Sequence, residues 1–239
     1  MEPNTNKTPL VYLIPTWLHA GAADTLSAGI LTALPLCEVL YAEHLRTARR
    51  FAKAVLPHFV IDDHTWVEIG QKEGDWIRPF SQHVQEGKTI GILSEAGCPG
   101  IADPGQFLVA EAHRAGVQVI PLAGPSSLLL ALMASGLNGQ SFRFHGYLPV
   151  ESAERRKALR RMEEEVLAQG TTQLFIETPY RNEQLLADLL ETCRKDTRCC
   201  LAVDISAPTE WIVTKTVGEW KNEKMPSLHK RPALFLIGR

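Results

Sequence analysis

The strongest constraint on this chain is a rhythm: short apolar runs alternate with longer segments whose apolar residues recur at helical spacing. Such alternation marks an α/β protein with mainly parallel strands, because joining two parallel strands requires a long, usually helical, crossover. The runs predict strands at 10–14, 38–43, 89–94 and 117–122, with helices at 25–34, 45–55, 106–115 and 128–135. A second series opens with a strand near 142–144, a long charged helix at 151–168, a strand at 173–177 and a helix at 183–193. Its remainder is strand-rich (199–204, 211–217, 233–237), which predicts a mixed second sheet. Two α/β domains are therefore expected, residues 1–122 and 123–239, with a loop-rich cleft between them.

Composition excludes several classes. The 25 basic and 27 acidic side chains give a net charge of −2, unlike a protein that grips nucleic acid over its whole surface, although a local basic patch remains open. No run approaches the roughly 18 apolar residues of a membrane helix. Residues 1–9 are polar, without the layout of a signal peptide, and are expected to form a short loose leader. The five cysteines contain no CxxC pair and fit reduced, mostly buried thiols in a cytoplasmic protein, with no metal site expected. His83 and Glu86 have HxxE spacing but no third ligand nearby. Gly87-Lys88-Thr89 resembles the end of a P-loop, yet it precedes a strand where a P-loop follows one. Neither GxGxxG nor GxSxG occurs in the expected context.

Ligands of open α/β sheets bind beyond the carboxyl ends of the strands, and three loops there have suitable composition. The first runs Ser94-Glu95-Ala96-Gly97-Cys98-Pro99-Gly100-Ile101-Ala102-Asp103-Pro104-Gly105; its small residues let a ligand approach the backbone, while Glu95 and Asp103 supply negative charge. It reads equally as a tight turn with Asp103 near a helix start. In Gly124-Pro125-Ser126-Ser127, a serine can cap the helix that continues with Leu128, or its N–H groups can receive an anion. Gly146-Tyr147-Leu148-Pro149 is either an aromatic wall or a packed linker. Glu177-Thr178-Pro179-Tyr180-Arg181 either positions substrate or holds an internal Glu–Arg pair, and Glu43 ends a strand and could face the same cleft. Two arginine-rich helices stand out: Arg46, Arg49, Arg50 and Lys53 could meet phosphates, whereas Arg155, Arg156, Lys157, Arg160 and Arg161, interleaved with glutamates, suggest an exposed face.

The loop from Leu93 to Gly105 resembles the (V/L)SDAGTPxxSDPG signature of the ribosomal RNA small subunit methyltransferase I family, within the tetrapyrrole methylase superfamily. The similarity continues through Pro121-Leu122-Ala123-Gly124-Pro125-Ser126, through Phe144-His145-Gly146-Tyr147-Leu148-Pro149, and through Glu177-Thr178-Pro179-Tyr180-Arg181, which looks like YE(S/T)xxR. The resemblance implies a class III methyltransferase fold, a homodimer, and S-adenosylmethionine held in the cleft between two α/β domains. Its cofactor contacts carry over onto Pro15, Ser94, Glu95, Ala96, Gly97, Cys98, Pro99, Ile101 and Ala102, and onto Ser126, Ser127 and Leu128. Gly146, Tyr147, Leu148, Glu177, Thr178, Pro232 and Ala233 complete the set. The expected reaction is 2′-O-methylation of ribosomal or related RNA, with Glu43 and Glu177 as candidate bases; methylation of a tetrapyrrole or other small molecule, or cofactor binding without catalysis, are the alternatives.

Two departures mark a divergent subgroup. Ile14-Pro15-Thr16-Trp17-Leu18-His19 lacks both glycines of the family's GTPIGN loop, and Ala42-Glu43-His44-Leu45-Arg46 loses the aspartate of AEDTR. The chain is expected to match the catalytic module without the small C-terminal domain of some members.

Overall fold

The computed structural model describes residues 9–70, 74–224 and 227–239, so all but the last residue of the expected leader lies outside the described residues. The chain divides into two compact units, 1–126 and 127–239. The segment after Leu122 stays with the first unit because it is tied there: Ser27 Oγ donates to Ala123 O at 2.6 Å and Cys98 Sγ to Pro125 O at 3.4 Å.

Unit 1 is a parallel sheet wrapped by helices on both faces. Its strands are β1 (Leu10–Ile14), β2 (Val39–Ala42), β3 (Thr65–Glu68), β4 (Ile90–Leu93) and β5 (Gln118–Pro121), in the order β3-β2-β4-β1-β5. Its helices are α1 (Ala28–Ala33), α2 (Leu45–Val55), α3 (Ile77–Gln85) and α4 (Gly105–Arg114). The period-2 alternation of a strand explains the layering. Val39, Tyr41, Ile90 and Ile92 pack with Phe80 and Leu108 of α3 and α4, whereas Leu40, Ala42 and Leu93 pack with Ile30 and Phe51 of α1 and α2. All four residues of β2 and of β4 are buried, as strands covered on both faces must be.

Unit 2 contains α5 (Ser127–Ser135), β6 (Phe142–Tyr147), α6 (Ser152–Gln169), β7 (Thr172–Ile176), α7 (Asn182–Thr192), β8 (Arg198–Val203), β9 (Trp211–Thr216), α8 (Val217–Lys221) and β10 (Ala233–Gly238). The sheet order is β6-β7-β10-β8-β9; β6 and β7 are parallel and the other pairs antiparallel, so this sheet is mixed. Its largest core joins Leu159, Met162 and Val166 of α6 and Leu185 and Leu189 of α7 to Phe175, Leu201 and Phe235 of the sheet.

Among the described residues no helix is long and apolar enough to cross a membrane, and no three His, Cys, Asp or Glu side chains form a group that could hold a metal ion. His83 Nδ1 lies 2.9 Å from the Tyr41 hydroxyl, while Lys88 pairs with Glu38 at 3.1 Å.

Candidate functional site

The order of strands in unit 1 creates a switch point. From β1 the chain crosses toward β2 on one side of the sheet, and from β4 it crosses toward β5 on the other, although β1 and β4 are neighbours. Loops leaving two such strands diverge and open a crevice at the strand ends, where open α/β sheets bind ligands. Register fixes who stands there: Leu93 faces both Ile14 and Ala42, so Pro15, Ser94 and Glu43 leave the sheet side by side.

Backbone hydrogen bonds knit the crevice. Thr16 N–H donates to Gly97 O at 2.9 Å and Gly97 N–H to Thr16 O at 3.2 Å, while Thr16 Oγ1 donates to Ser94 O at 3.3 Å. Gly97 adopts φ +80°, and a Cβ there would lie 3.2 Å from Leu18 Cδ2. Gly124 permits a close approach to the first loop: a Cβ there would meet Pro15 Cβ at 2.3 Å. Pro15 and Pro99 are buried and Cys98 half-buried, whereas Glu95, Ala96, Ile101 and Ala102 are exposed. Ala102 also sits in the left-handed region at φ +59°, a conformation that non-glycine residues rarely hold without cause.

Asp103 has an internal role. Its Oδ1 accepts from Gly100 N–H at 2.7 Å and from Gly105 N–H at 2.8 Å, closing the loop and satisfying a free donor at the start of α4. Burial pushes its carboxyl up, against the two N–H bonds that pull it down. Its charge is thus spent inside the loop, and Glu95 is the acidic side chain left facing out. Burial, then the charge of Asp103, raise the Cys98 thiol, so Cys98 acts as a weak donor to the Pro125 carbonyl.

Unit 2 presents a second set of loops at one end of its sheet. Tyr147 and Leu234 are both in register with Ile176, and Ala233 with Val203, which brings Tyr147, Glu177, Pro232 and Asp204 to the same level. Gly146, at φ +67°, lies within a register shift of β6, after which Tyr147 is 63% exposed and Leu148 is buried. The following turn is held from beneath by Arg155, whose Nη1 donates to Pro149 O at 3.2 Å and Val150 O at 2.7 Å. The exposed face expected for α6 therefore fails at this residue: Arg155 is fully buried because Asp188 of α7 meets it, with Nε to Oδ2 at 2.8 Å.

Glu177 is buried and accepts from Arg181 Nη2 at 2.8 Å and from the Thr178 N–H. Burial raises its pKa, but the Arg181 and Thr178 hydrogen bonds outweigh it and hold the carboxyl below the usual range. Glu177 Oε1, Arg181 Nε and Asn182 Oδ1 are buried without a partner. A buried polar atom left unpaired is costly, so three within six residues mark a corner poised for a polar guest. Sequence reasoning missed Asn182, Asp204 and Arg231. Asn182 Nδ2 donates to Arg231 O at 2.7 Å, and Arg231 Nε to Asp204 Oδ2 at 2.7 Å, fastening the loop before β10. Their one sequence signal was Asp204 as a polar residue closing a strand.

Comparison with known proteins agrees with this architecture. Residues 20–221 match the family described as Tetrapyrrole (Corrin/Porphyrin) Methylases. The chain is 31% identical over 207 residues to ribosomal RNA small subunit methyltransferase I of Vibrio cholerae, covering 87% of this chain and 68% of that protein. It is 30% identical over 214 residues to the protein of the same name from Escherichia coli O157:H7, covering 90% and 71%. Among solved structures, the methyltransferase CobJ superposes with a TM-score of 0.63 at 17% identity, covering 97% of this chain and 94% of that one. Uroporphyrin-III C-methyl transferase from Thermus thermophilus, complexed with S-adenyl homocysteine, superposes with a TM-score of 0.54 at 23% identity, covering 96% and 97%. Switch-point loops, paired sheets and sequence similarity agree: the chain belongs to the tetrapyrrole methylase family of methyltransferases.

Proposed function

We infer that this methyltransferase modifies ribosomal RNA at a ribose 2′-hydroxyl, using S-adenosylmethionine as methyl donor. The observation that carries the reading is the knit crevice at the carboxyl ends of β1 and β4, where Gly97 and Gly124 let the loops pack tightly against Leu18 and Pro15. The names of the Vibrio cholerae and Escherichia coli relatives support ribosomal RNA as the acceptor.

The residues present fit the cofactor. Pro15, Ser94, Ala96, Gly97, Cys98, Pro99, Ile101 and Ala102 would hold it largely through backbone and small side chains, with Glu95 offering exposed negative charge. Ser126, Ser127 and Leu128 lie at the start of α5. The resemblance implies further contacts at Gly146, Tyr147, Leu148, Thr178, Pro232 and Ala233, and within its own unit the unpaired Glu177 Oε1 suits a hydrogen-bond donor. When bound, S-adenosylmethionine supplies a methyl group activated by a positively charged sulfur. The chain's own task is to align the hydroxyl and exclude water, since in-line displacement is governed by geometry. Glu43, half-buried beside Ser94 at the strand ends, would take the hydroxyl proton. Glu177, kept ionised, would orient a donor group. The enzyme would act as a homodimer in the cytoplasm, with light scattering at twice the chain mass as the check on assembly.

Calorimetric titration with S-adenosylmethionine, with NAD as control, tests the cofactor; transfer of a labelled methyl group to ribosomal RNA tests the acceptor. Glu43→Gln and Glu177→Gln should each lower turnover about 100-fold, a larger effect than either has on cofactor affinity. Wild-type turnover in both variants would remove the two glutamates from the reaction.

A further inference from the structure

Helix α2 carries a concentration of positive charge that the fold does not consume. Its sequence, LRTARRFAKAV, has four basic residues and no acidic one, in a chain whose net charge is −2. Ala48, Phe51 and Ala52 face the core, which leaves Arg46 and Arg50 exposed and Arg49 half-buried. None of the three arginines forms an ion pair with a described residue. Lys53 is different, because its Nζ donates to Pro57 O at 3.2 Å and Phe59 O at 2.9 Å and so clasps the end of the helix. The acidic groups nearby are few: Glu43 just before the helix, Glu68 set 3.9 Å from His44, and Asp62 and Asp63 beyond the far end.

Two further features give the patch a direction and a rigid post. The helix starts directly after Glu43 and His44, at the strand ends where Pro15 and Ser94 emerge, and runs away from them. Midway, the Arg49 guanidinium sits 5.5 Å from the centroid of the Trp66 ring, and Trp66 is itself fixed by an Nε1–H donated to Ile61 O at 3.0 Å. Stacking holds an arginine fork in place before anything binds, which reduces the ordering cost of recognition.

We propose that Arg46, Arg49 and Arg50 on α2 bind the phosphate backbone of the RNA substrate and lead it to the switch-point crevice. This rests on the RNA reading above and names the surface that serves it. Arg46 and Arg50 are one turn apart, about 6 Å along the axis, a spacing comparable with that of successive phosphates on a single strand. The exposed positions between and beyond them are Thr47, Lys53 and Ala54, so the face lacks the large apolar side chains a membrane surface would require. Exposed arginines without an ion pair to a described residue, on a face without large exposed apolar side chains, match a polyanion, and their contacts carry no sequence information. Sequence choice belongs elsewhere.

The test measures anisotropy of a fluorescein-labelled, unstructured 20-nucleotide RNA across a KCl series with the full chain. Each lost phosphate contact on a single strand removes about 0.7 from the slope of log affinity against log salt. The Arg46→Gln/Arg50→Gln double variant should therefore lose about 1.4 in slope and bind about 10–30-fold more weakly near 0.1 M KCl. Arg160→Gln/Arg161→Gln, exposed charges on α6, should leave both quantities at wild-type values. Circular dichroism and calorimetric S-adenosylmethionine binding confirm that each variant is folded. A double variant with wild-type slope and affinity would overturn the assignment to α2 while leaving the RNA reading intact. Absence of RNA binding by the wild-type chain at low salt, with cofactor binding preserved, would overturn both.

Discussion

Helices α2 and α6 both carry runs of arginine, yet the structure uses the two runs in opposite ways. On α6 the charge of the first turn is met within the fold, whereas Arg160 and Arg161 stay exposed: Arg155 and Arg156 share Asp188, and Arg156 also reaches Glu191 at 2.7 Å. On α2 three arginines have no acidic partner among the described residues, and one leans on a tryptophan instead. A charge answered by its own protein stabilises or specifies the fold; one left unanswered is available to something else. The difference separates a structural helix from a recruiting one, although both look basic in sequence.

The comparison breaks most readily at Arg155. Replacing it with alanine leaves Asp188, 95% buried in its side chain, with only Arg156 and Ser152 as partners and its charge partly uncompensated, which costs about 1.5–3 kcal/mol, the range of hydrogen bonds to a charged group. Urea unfolding should show that loss, and Arg155→Met combined with Asp188→Leu should recover much of it, since an apolar pair avoids the uncompensated charge. The turn from Tyr147 to Val150 should also loosen, because the Pro149 and Val150 carbonyls lose their donor. A loss below about 1 kcal/mol for Arg155→Ala would put α6 with α2 as a helix of dispensable charge.

Acid should find the same network. Burial raises the Asp188 carboxyl, but hydrogen bonds from Arg156, Ser152 and Arg155 outweigh it and hold its pKa below the usual value. A depressed folded pKa contributes stability that is present above the unfolded value near 4 and lost as pH falls through the folded one. Denaturation midpoints should therefore decline below about pH 4 in the wild type. The decline should be shallower in the Arg155→Met/Asp188→Leu variant, which lacks this group.

Sequence pattern exposed the fold wherever burial was complete. The runs at β2 and β4 are buried throughout and were plain, as was α2, whose observed limits coincide with the expected ones. The stretch between α2 and β4 stayed silent for identifiable reasons. Edge strand β3 is four residues long with both ends exposed, so it shows no apolar run. In α3, Pro79 sits in the first turn, where a helix tolerates it, yet it reads as a break. The strand expected to reach Val217 stops at Thr216 because Thr216 and Glu219 form a capping box that starts α8, a signal present in the sequence and passed over. At the candidate site, the glycine and proline loop was legible because backbone geometry restricts its composition. Asp188 lies 33 residues from Arg155, and no local pattern connects them. The Glu177–Arg181 pair is local, four residues apart, and was one of two readings open from sequence.

Arg49 sharpens the comparison from the α2 side. Arg49→Gln removes the cation–π contact with Trp66, worth about 0.5–1 kcal/mol at a partly exposed site. Its stability change should therefore fall well below that of Arg155→Ala. Trp66 fluorescence should shift as the ring loses its cover, and an unchanged spectrum would mean the stack does not persist in solution.

The smallest effect is the most telling. Arg50 is exposed and has Arg46 one turn before it, and like charges at that spacing repel by a few tenths of a kcal/mol. Glutamine matches arginine closely in helix propensity, so Arg50→Gln removes the repulsion at almost no other cost. The variant should be as stable as the wild type or a few tenths of a kcal/mol more stable at low salt, with the gain vanishing as salt screens the pair. A residue whose removal slightly stabilises the free protein is not there for the fold. At Arg155 of α6 a deleted arginine should reveal the stability it supplied; on α2 a deleted Arg50 should reveal the repulsion the helix tolerates, a repulsion that bound phosphate would reverse. Clear destabilisation in Arg50→Gln would expose a hidden intramolecular partner and make the two helices alike.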